Sequence, residues 1–332
     1  MSYHFLMDLA LILLSTKILG LVAQKFQMPQ VVGALIAGLI LSPAGLGLLS
    51  ETEFTAQLSE LGVIVLMFSA GMGTDIKELK NSGKAGFMVA VLGVVVPFLM
   101  GTALAWGADE LGLIETTGFL ESVFIGTILT ATSVSITVET LKEMKKLETK
   151  VGNTILAAAL IDDVLGLVAL TLVCSLAGGD ESIGMVLLKI AGFFVFAFVV
   201  GFAANRVFCW MLKRQHGWAS HRNSVFAFVL CLVMAYCAEE FFGVADITGA
   251  YAAGLAVACT PKGTYIQTKY NPLGYLLLTP VFFASIGINV QITGLTGGML
   301  AFSLLLLLIS IISKLLGCGL GAKACHFSTR ES

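Results

Sequence analysis

Two adjacent aspartates, Asp162 and Asp163, stand inside the apolar stretch AALIDDVLGLVAL. A charged residue at the centre of a membrane helix costs roughly 2.5–3.5 kcal/mol on insertion scales. The pair therefore costs about 5–7 kcal/mol, which the surrounding Val, Leu and Ile offset at about 0.3–0.6 kcal/mol each. Carboxyl groups in such a place are candidates for binding a proton or a cation. The structural alternative is a neutral, hydrogen-bonded carboxyl group that fastens two helices together.

A lysine in a later apolar stretch, LLLLLISIISKLLGCGLG, is the candidate partner for this pair. Lys314 lies about 17 residues into its predicted helix, too deep for easy snorkelling, although an interfacial lysine is the alternative. Consecutive residues point about 100° apart on a helix, so Asp162 and Asp163 cannot share one partner equally. We predict that Lys314 pairs with one aspartate and leaves the other to exchange a proton for a metal cation.

A third candidate element is the hydroxyl-rich segment LTATSVSITVETL, residues 129–141. Hydroxyl groups can satisfy the backbone where a membrane helix unwinds, and an unwound segment presents carbonyl oxygens and half-helix dipoles to an ion. Ordinary bonding of Ser and Thr to the backbone of an intact helix is the alternative. The residues predicted to unwind are Thr130, Ala131, Thr132, Ser133, Val134 and Ser135.

The composition requires membrane helices to position these groups. The 332 residues are 57% hydrophobic and 12% charged, with a mean hydropathy of +0.95, whereas soluble domains are about 25% charged. Continuous apolar runs of about 20 residues favour helices over the alternating strands of a β-barrel. We predict an all-α polytopic membrane protein with eleven spans: 4–24, 29–49, 56–76, 85–107, 118–139, 151–177, 183–211, 221–243, 246–260, 272–291 and 297–322.

The placement of basic residues predicts the orientation of the chain. Of the 19 Lys and Arg, 16 lie in the segments after the odd-numbered spans or within the adjoining ends of the spans that border these segments. By the positive-inside rule the loops after the odd-numbered spans are cytoplasmic, so the N-terminus faces outside and Ser332 faces the cytoplasm. The basic residues are Lys25, Lys77, Lys80, Lys84, Lys142, Lys145, Lys146, Lys150, Arg206, Lys213, Arg214, Arg222, Lys262, Lys269, Lys323 and Arg330.

An internal repeat relates the two halves of the chain. One sequence pattern is shared by GALIAGLILSP and GAYAAGLAVACTP, and a second pattern is shared by FSAGMGTDIKEL and ASIGINVQITGL. A single offset of 216 residues aligns both pairs. The offset shifts the chain by seven spans, and an odd shift predicts inverted copies, an architecture of many secondary transporters. Spans 5 and 6 would have partners near residues 346 and 378. We therefore expect two further helices beyond residue 332, and we expect this chain alone to be inactive without them.

The motif TATSVSIT, one span before LIDDVLG, together with the later SKLLGCGLGA, resembles the monovalent cation–proton antiporter superfamily. Its sodium/proton and Kef-type branches are the most similar. The resemblance implies thirteen spans in two inverted five-helix repeats, and a homodimer in the cell (inner) membrane. It also implies that Asp163 binds the cation, transiently sodium, or the proton, and that Asp162 pairs with Lys314. Thr132 and Ser133 match the unwound crossing.

The resemblance also implies a division into scaffold and ion-carrying helices. Residues 1–79 and 214–295 are expected to form the scaffold and dimerisation helices, and residues 178–213 a linking helix. Residues 80–177, with the broken fifth span, and residues 296–332 are expected to form the core that carries the ion.

The function implied is a secondary active antiporter that exchanges a monovalent cation, sodium first, for protons by alternating access, and that is electrogenic. A Kef-type potassium/proton antiporter is an alternative, although Kef-type carriers usually show Gln-Asp at the aspartate pair. A cation channel or a non-transporting membrane regulator is a second alternative. It is disfavoured because a channel normally shows a repeated selectivity filter and an oligomeric pore rather than inverted repeats. An intramembrane aspartyl protease is disfavoured because its aspartates face each other from separate helices. We expect no enzymatic activity, no cofactor besides the transported ions, and no nucleic-acid partner.

Overall fold

The computed structural model describes residues 4–74, 76–114, 118–176, 183–214, 220–260, 263–291 and 297–332. The regular structure in these ranges is entirely helical, which confirms the predicted all-α class. The helices are α1 (His4–Lys25), α2 (Gln30–Leu41), α3 (Glu53–Gly73), α4 (Ile76–Glu110), α5 (Phe119–Thr130), α6 (Val134–Glu143), α7 (Lys150–Leu176), α8 (Ile183–Arg214), α9 (Ser220–Phe242), α10 (Asp246–Ala258), α11 (Gly263–Leu273), α12 (Thr279–Ile288) and α13 (Gly297–Ala324), with a π-helical turn at Gly274–Leu278.

Nine helical segments of the described ranges are long and apolar enough to cross a membrane. One of these joins α5 to α6, and another joins α11, the π-helical turn and α12. The second and ninth predicted spans correspond to the shorter helices α2 and α10, of 12 and 13 residues. Each of the eleven predicted spans therefore contains a helix.

The second helix is shorter than its predicted span, 29–49, because a proline stops it. α2 ends at Leu41, and the next residue, Ser42, has an extended ψ of 166°. Ser42 precedes Pro43, whose ring disfavours the helical conformation in the residue before it. The chain then forms a loop until Thr52, whose side chain accepts a hydrogen bond from the backbone N–H of Thr55 and caps α3.

The chain folds into two compact units. Unit 1 comprises Met1–Ile76, Ser135–Glu148 and Phe193–Ile292, and unit 2 comprises Lys77–Val134, Thr149–Gly192 and Thr293–Ser332. Residues 135–148 thus belong to unit 1, whereas the sequence places them in the core with the rest of 80–177. The predicted boundaries at residues 177, 178, 295 and 296 lie outside the described residues. The scaffold and ion-carrying roles of the two units stay predictions.

Two close helix crossings in unit 1 use the repeated glycines. At the first, α2 crosses α12, and a Cβ on Gly38 would overlap the carbonyl of Ala284, while one on Gly287 would overlap the carbonyl of Leu35. Only a glycine lets the two backbones approach this closely.

The second crossing, of α3 with α10, repeats the first. A Cβ on Gly71 would overlap the carbonyl of Tyr251, and one on Gly254 would overlap the carbonyl of Phe68. The offset of the sequence repeat relates the two crossings, since 254 − 38 = 216 and 287 − 71 = 216. The repeated glycines therefore occupy equivalent packing positions.

Small residues in unit 2 bring α4 against α7 and α13. Val89 and Ala90 of α4 form a buried apolar cluster with Ala158 of α7 and with Ala322 and Phe327. A Cβ on Gly317 of α13 would overlap the carbonyl of Leu92 in α4. Ala158 lies one helical turn before Asp162, and Gly317 lies one turn after Lys314. This packing therefore fixes the helices that carry both charged groups.

Candidate ion-binding site

The helix that begins with α5 is interrupted at Ala131–Ser133 and resumes as α6 at Val134. Ala131 is extended, with ψ at 133°, and its N–H donates to the carbonyl of Ile128. Thr130 is the last residue of α5, and its hydroxyl donates to the carbonyl of Thr127, 2.7 Å away. The interruption therefore covers three residues of the predicted six, and Thr130, Val134 and Ser135 lie in the flanking helices.

The ammonium group of Lys314, a residue of α13, lies at the C-terminal end of α5. Its Nζ donates to the carbonyl oxygen of Thr130 at 2.7 Å, and to Oδ2 of Asp162 at 3.3 Å. The last carbonyls of a helix have no intrahelical partner and carry the negative end of the helix dipole. The ammonium group therefore satisfies a backbone group freed by the break and a carboxylate at the same time.

Asp162 is the more engaged of the two aspartates. It is only 5% exposed, and the Thr132 side chain hydrogen-bonds its carboxyl group in addition to the Lys314 ion pair. Ser133, beside Thr132 in the interruption, also has an interaction partner. Residues from α5, the interruption, α7 and α13 are therefore brought together around one carboxyl group.

Asp163 lies in a different environment although it is the next residue of α7. Its Oδ2 is buried and accepts no hydrogen bond from the described residues, and Oδ1 of Asp162 is in the same state. Hard cations prefer such oxygen ligands. No group of three His, Cys, Asp or Glu side chains in the described ranges could hold a resident metal ion. The arrangement thus offers carboxylate oxygens to a proton or a transient monovalent cation.

One further polar residue of α7 was not singled out by the sequence. Asn153 is 1% exposed, and both atoms of its side-chain amide are buried without a hydrogen bond to any described residue. A lone Asn near the end of an apolar run gives no pattern that distinguishes it from an interfacial residue. Its burial only emerges from the packing of the helices.

Comparison with known proteins places these residues in a family context. The family model described as "Sodium/hydrogen exchanger, transmembrane" matches residues 10–332. The chain is 36% identical to the Na(+)/H(+)-K(+) antiporter GerN of Bacillus cereus, with 100% of this chain and 83% of that protein covered. It is 35% identical to the Na(+)/H(+) antiporter of Enterococcus hirae, with 99% and 84% covered.

Solved structures share the fold. The sodium proton antiporter MjNhaP1 from Methanocaldococcus jannaschii at pH 8 aligns with a TM-score of 0.68 and 19% identity, over 98% of this chain and 80% of that chain. A three-dimensional electron microscopy map of the same antiporter aligns with a TM-score of 0.74 and 19% identity, over 100% and 80%. At this identity the likeness describes the fold alone.

Proposed function

Because the chain belongs to the transmembrane sodium/hydrogen exchanger family, we propose that it is a secondary active antiporter that exchanges sodium for protons. The observation that carries the proposal is the contrast between two neighbouring carboxyl groups. Asp162 is held by Lys314 and Thr132, whereas Asp163 has a buried oxygen without a hydrogen bond from the described residues.

In the proposed mechanism Asp163 holds either a proton or a sodium ion, but not both. A sodium ion that approaches the carboxylate displaces the proton, which leaves on the same side of the membrane. Carboxylate oxygens of Asp163 and Asp162 supply the ligands, and the interruption at Ala131–Ser133 lies next to them in the proposed site. Competition for one carboxyl group couples the two fluxes without a covalent step.

Lys314 contributes to the charge of the proposed site. Its ammonium group pairs with Asp162 and with the free carbonyl end of α5. We propose that transport is electrogenic, which requires more protons than sodium ions to move in each cycle.

Alternating access completes the proposal. Unit 2 contains the interruption, both aspartates and Lys314, and we assign the ion-carrying role to it and the scaffold role to unit 1. The protein then works as a homodimer in the inner membrane, with its N-terminus outside and residue 332 on the cytoplasmic side. This orientation follows from the positive-inside rule.

Potassium is the second candidate for the transported cation. The observation that favours it is the name of the relative GerN, a Na(+)/H(+)-K(+) antiporter, which includes potassium beside sodium. Under this reading the same carboxyl groups would carry potassium in exchange for protons.

The test is cation-dependent proton movement in inverted membrane vesicles, with the protein expressed from its complete gene in cells that lack their own antiporters. An acid interior is established, and sodium, lithium or potassium is then added over a range of concentrations. We expect sodium to release the protons with saturable kinetics. A cation current that does not saturate and needs no counter-ion would contradict antiport, and release by potassium alone would select the second candidate.

A further inference from the structure

Unit 1 contains a cavity whose chemistry differs from that of the ion site. Its volume is about 300 Å³, at the lower end of the roughly 300–1,000 Å³ typical of small-molecule sites. It lies among α1, α2, α6 and the segment from Tyr275 to Phe283. Leu13, Val31 and Leu276 contribute to a mostly apolar lining. A ligand for this cavity must therefore be largely apolar.

One wall of the cavity is acidic. Glu139 and Glu143, one turn apart on α6, both line it. Glu139 is 5% exposed, and its Oε2 is buried and accepts no hydrogen bond from the described residues. Lys142 Nζ is 3.8 Å from this oxygen, beyond ordinary hydrogen-bond length. Burial of a carboxylate without a donor is costly, so the wall is suited to a ligand that brings N–H groups.

The second acid of this wall is already oriented by the protein. Oε2 of Glu143 accepts a hydrogen bond of 2.7 Å from the backbone N–H of Gln30, the first residue of α2. This bond leaves the other carboxylate oxygen of Glu143 available to share a cationic group with Glu139. Two carboxylates on one wall would repel an anionic head group.

Lys17 is the one basic residue among the described residues that line the cavity. Lys17 Nζ donates to the hydroxyl of Tyr275 at 3.0 Å and lies 5.2 Å from the centre of the same ring. Tyr275 is 47% and Leu276 67% exposed, so the cavity opens at an apolar surface of unit 1. An ammonium group held in this position can bind a phosphate.

The position of the cavity across the membrane is suited to binding a lipid. Lys17 lies eight residues before Lys25, the end of α1, which is about 12 Å along a helix. Lys25 and Gln30 belong to the loop side that the positive-inside rule places in the cytoplasm. The cavity therefore extends from the level of the cytoplasmic head groups, at Gln30, to about 12 Å into the apolar layer, at Lys17.

We propose that this cavity binds one phospholipid whose head group carries a primary ammonium. The ammonium donates to Glu139 and Glu143, the phosphate accepts from Lys17, and an acyl chain follows Leu13 and Leu276. A choline head group has no N–H to donate to the buried oxygen, and an anionic head group leaves both acids unmatched. A free amine lacks the chain that the apolar lining requires.

Thermal unfolding of the purified, delipidated protein tests the proposal. Phosphatidylethanolamine, phosphatidylcholine and phosphatidylglycerol with identical acyl chains are added separately, and free ethanolamine serves as the chain-free ligand. We expect phosphatidylethanolamine to raise the unfolding temperature by several degrees more than the other three. Equal stabilisation by phosphatidylcholine or phosphatidylglycerol would overturn the proposal. An equal effect of free ethanolamine would overturn the lipid as the source.

Two variants locate the effect. Glu139→Gln keeps the size of the side chain and is expected to abolish the preference for phosphatidylethanolamine, whereas Glu240→Gln, at an exposed acid outside the cavity, retains it. Lys17→Met is expected to weaken binding at least tenfold, and Lys25→Met, at an exposed position of the same helix, is the matched control. If Glu139→Gln does not fold, the comparison of Lys17→Met with Lys25→Met still tests the proposal. Retained preference in Glu139→Gln, or lipid binding by Lys17→Met as tight as that of Lys25→Met, contradicts the proposal.

Discussion

At the scale of single residues, the two aspartates show how one helix creates two chemical environments. Asp162 meets Lys314 and Thr132, whereas Asp163, rotated by about 100°, presents a buried oxygen to which no described residue donates. The sequence predicts that a deep lysine pairs with one of the two. Spacing alone leaves open which one, because the relative rotation of α7 and α13 is a property of their packing.

Replacement of Lys314 tests its role in moving charge. In Lys314→Ala the carboxyl group of Asp162 and the carbonyl of Thr130 lose their shared donor. We expect exchange to lose most of its response to an imposed membrane potential and to shift its pH profile. Proton movement in proteoliposomes clamped at different potentials measures both.

The control for this experiment is Lys189→Ala, which removes an exposed lysine from α8. It is expected to leave the dependence on potential and pH unchanged. If Lys314→Ala behaves in the same way as this control, the ion pair has no part in the transport cycle.

At the scale of elements, the interruption after α5 shows what a residue pattern can and cannot predict. Hydroxyl and β-branched residues indicate the region 130–135, but the non-helical segment is Ala131–Ser133. Thr130 stays helical, and its hydroxyl bonds to the carbonyl of Thr127 within the same helix. The residue pattern cannot separate a hydroxyl that bonds within an intact helix from one at a break, because both use the same residue types.

Thr132→Val tests the contribution of the interruption to the ion site. Val keeps the shape of Thr but cannot hydrogen-bond the carboxyl group of Asp162. Hydrogen bonds to charged groups contribute about 1.5–3 kcal/mol, so we expect the apparent affinity for sodium to fall about tenfold or more. The measurement is the KM for sodium in inverted vesicles.

Thr127→Val is the matched control, because the hydroxyl of Thr127 donates only to the carbonyl of Val123 within its own helix. Its KM is expected to stay close to that of the unchanged protein. Equal KM values for the two variants would remove Thr132 from the proposed site.

Helix ends were harder to predict than helices. The predicted spans 85–107 and 272–291 correspond to helical segments of Ile76–Glu110 and Gly263–Ile288. A hydropathy run marks only the part of a helix that matches the apolar layer, and a helix continues beyond it while its backbone hydrogen bonds are made. The proline after Ser42 ends α2 at Leu41, whereas the apolar run 29–49 continues past this proline and therefore does not predict the helix end.

At the scale of the whole molecule, the 216-residue repeat is visible in the packing of unit 1. The crossing at Gly38 and Gly287 has its counterpart at Gly254 and Gly71. A Cβ on Gly62 would be 2.7 Å from the carbonyl oxygen of Leu278, and 278 − 62 is again 216. A residue that contacts its own counterpart lies at the symmetry element that relates the two copies.

This symmetry predicts matched effects of matched substitutions. Gly38→Ala and Gly254→Ala each force a Cβ into a facing carbonyl, so both should destabilise the protein by about 1–3 kcal/mol, the usual range for overpacking. Thermal unfolding measures the loss. Gly83→Ala is the control, because a Cβ there meets no atom within 4 Å. Unchanged stability in either crossing variant would contradict the close approach.

The grouping of residues 135–148 with unit 1 was not accessible from the sequence. Hydropathy treats 118–139 as a single span, and a single span belongs to one domain. Once the helix is interrupted at Ala131–Ser133, α5 and α6 can pack in different units. The fold class and the helices that carry the candidate site were predictable, since both follow from composition and from charges placed where lipid disfavours them.

The most direct measurement of the central claim is sodium-driven proton movement in proteoliposomes that contain Asp163→Asn, expressed from the complete gene. Asn keeps the shape of the side chain but can neither release a proton nor balance a cation. We predict that exchange is abolished while the protein remains folded, which thermal unfolding checks. Exchange at the rate of the unchanged protein would show that this carboxyl group carries neither ion, and would contradict the proposed mechanism.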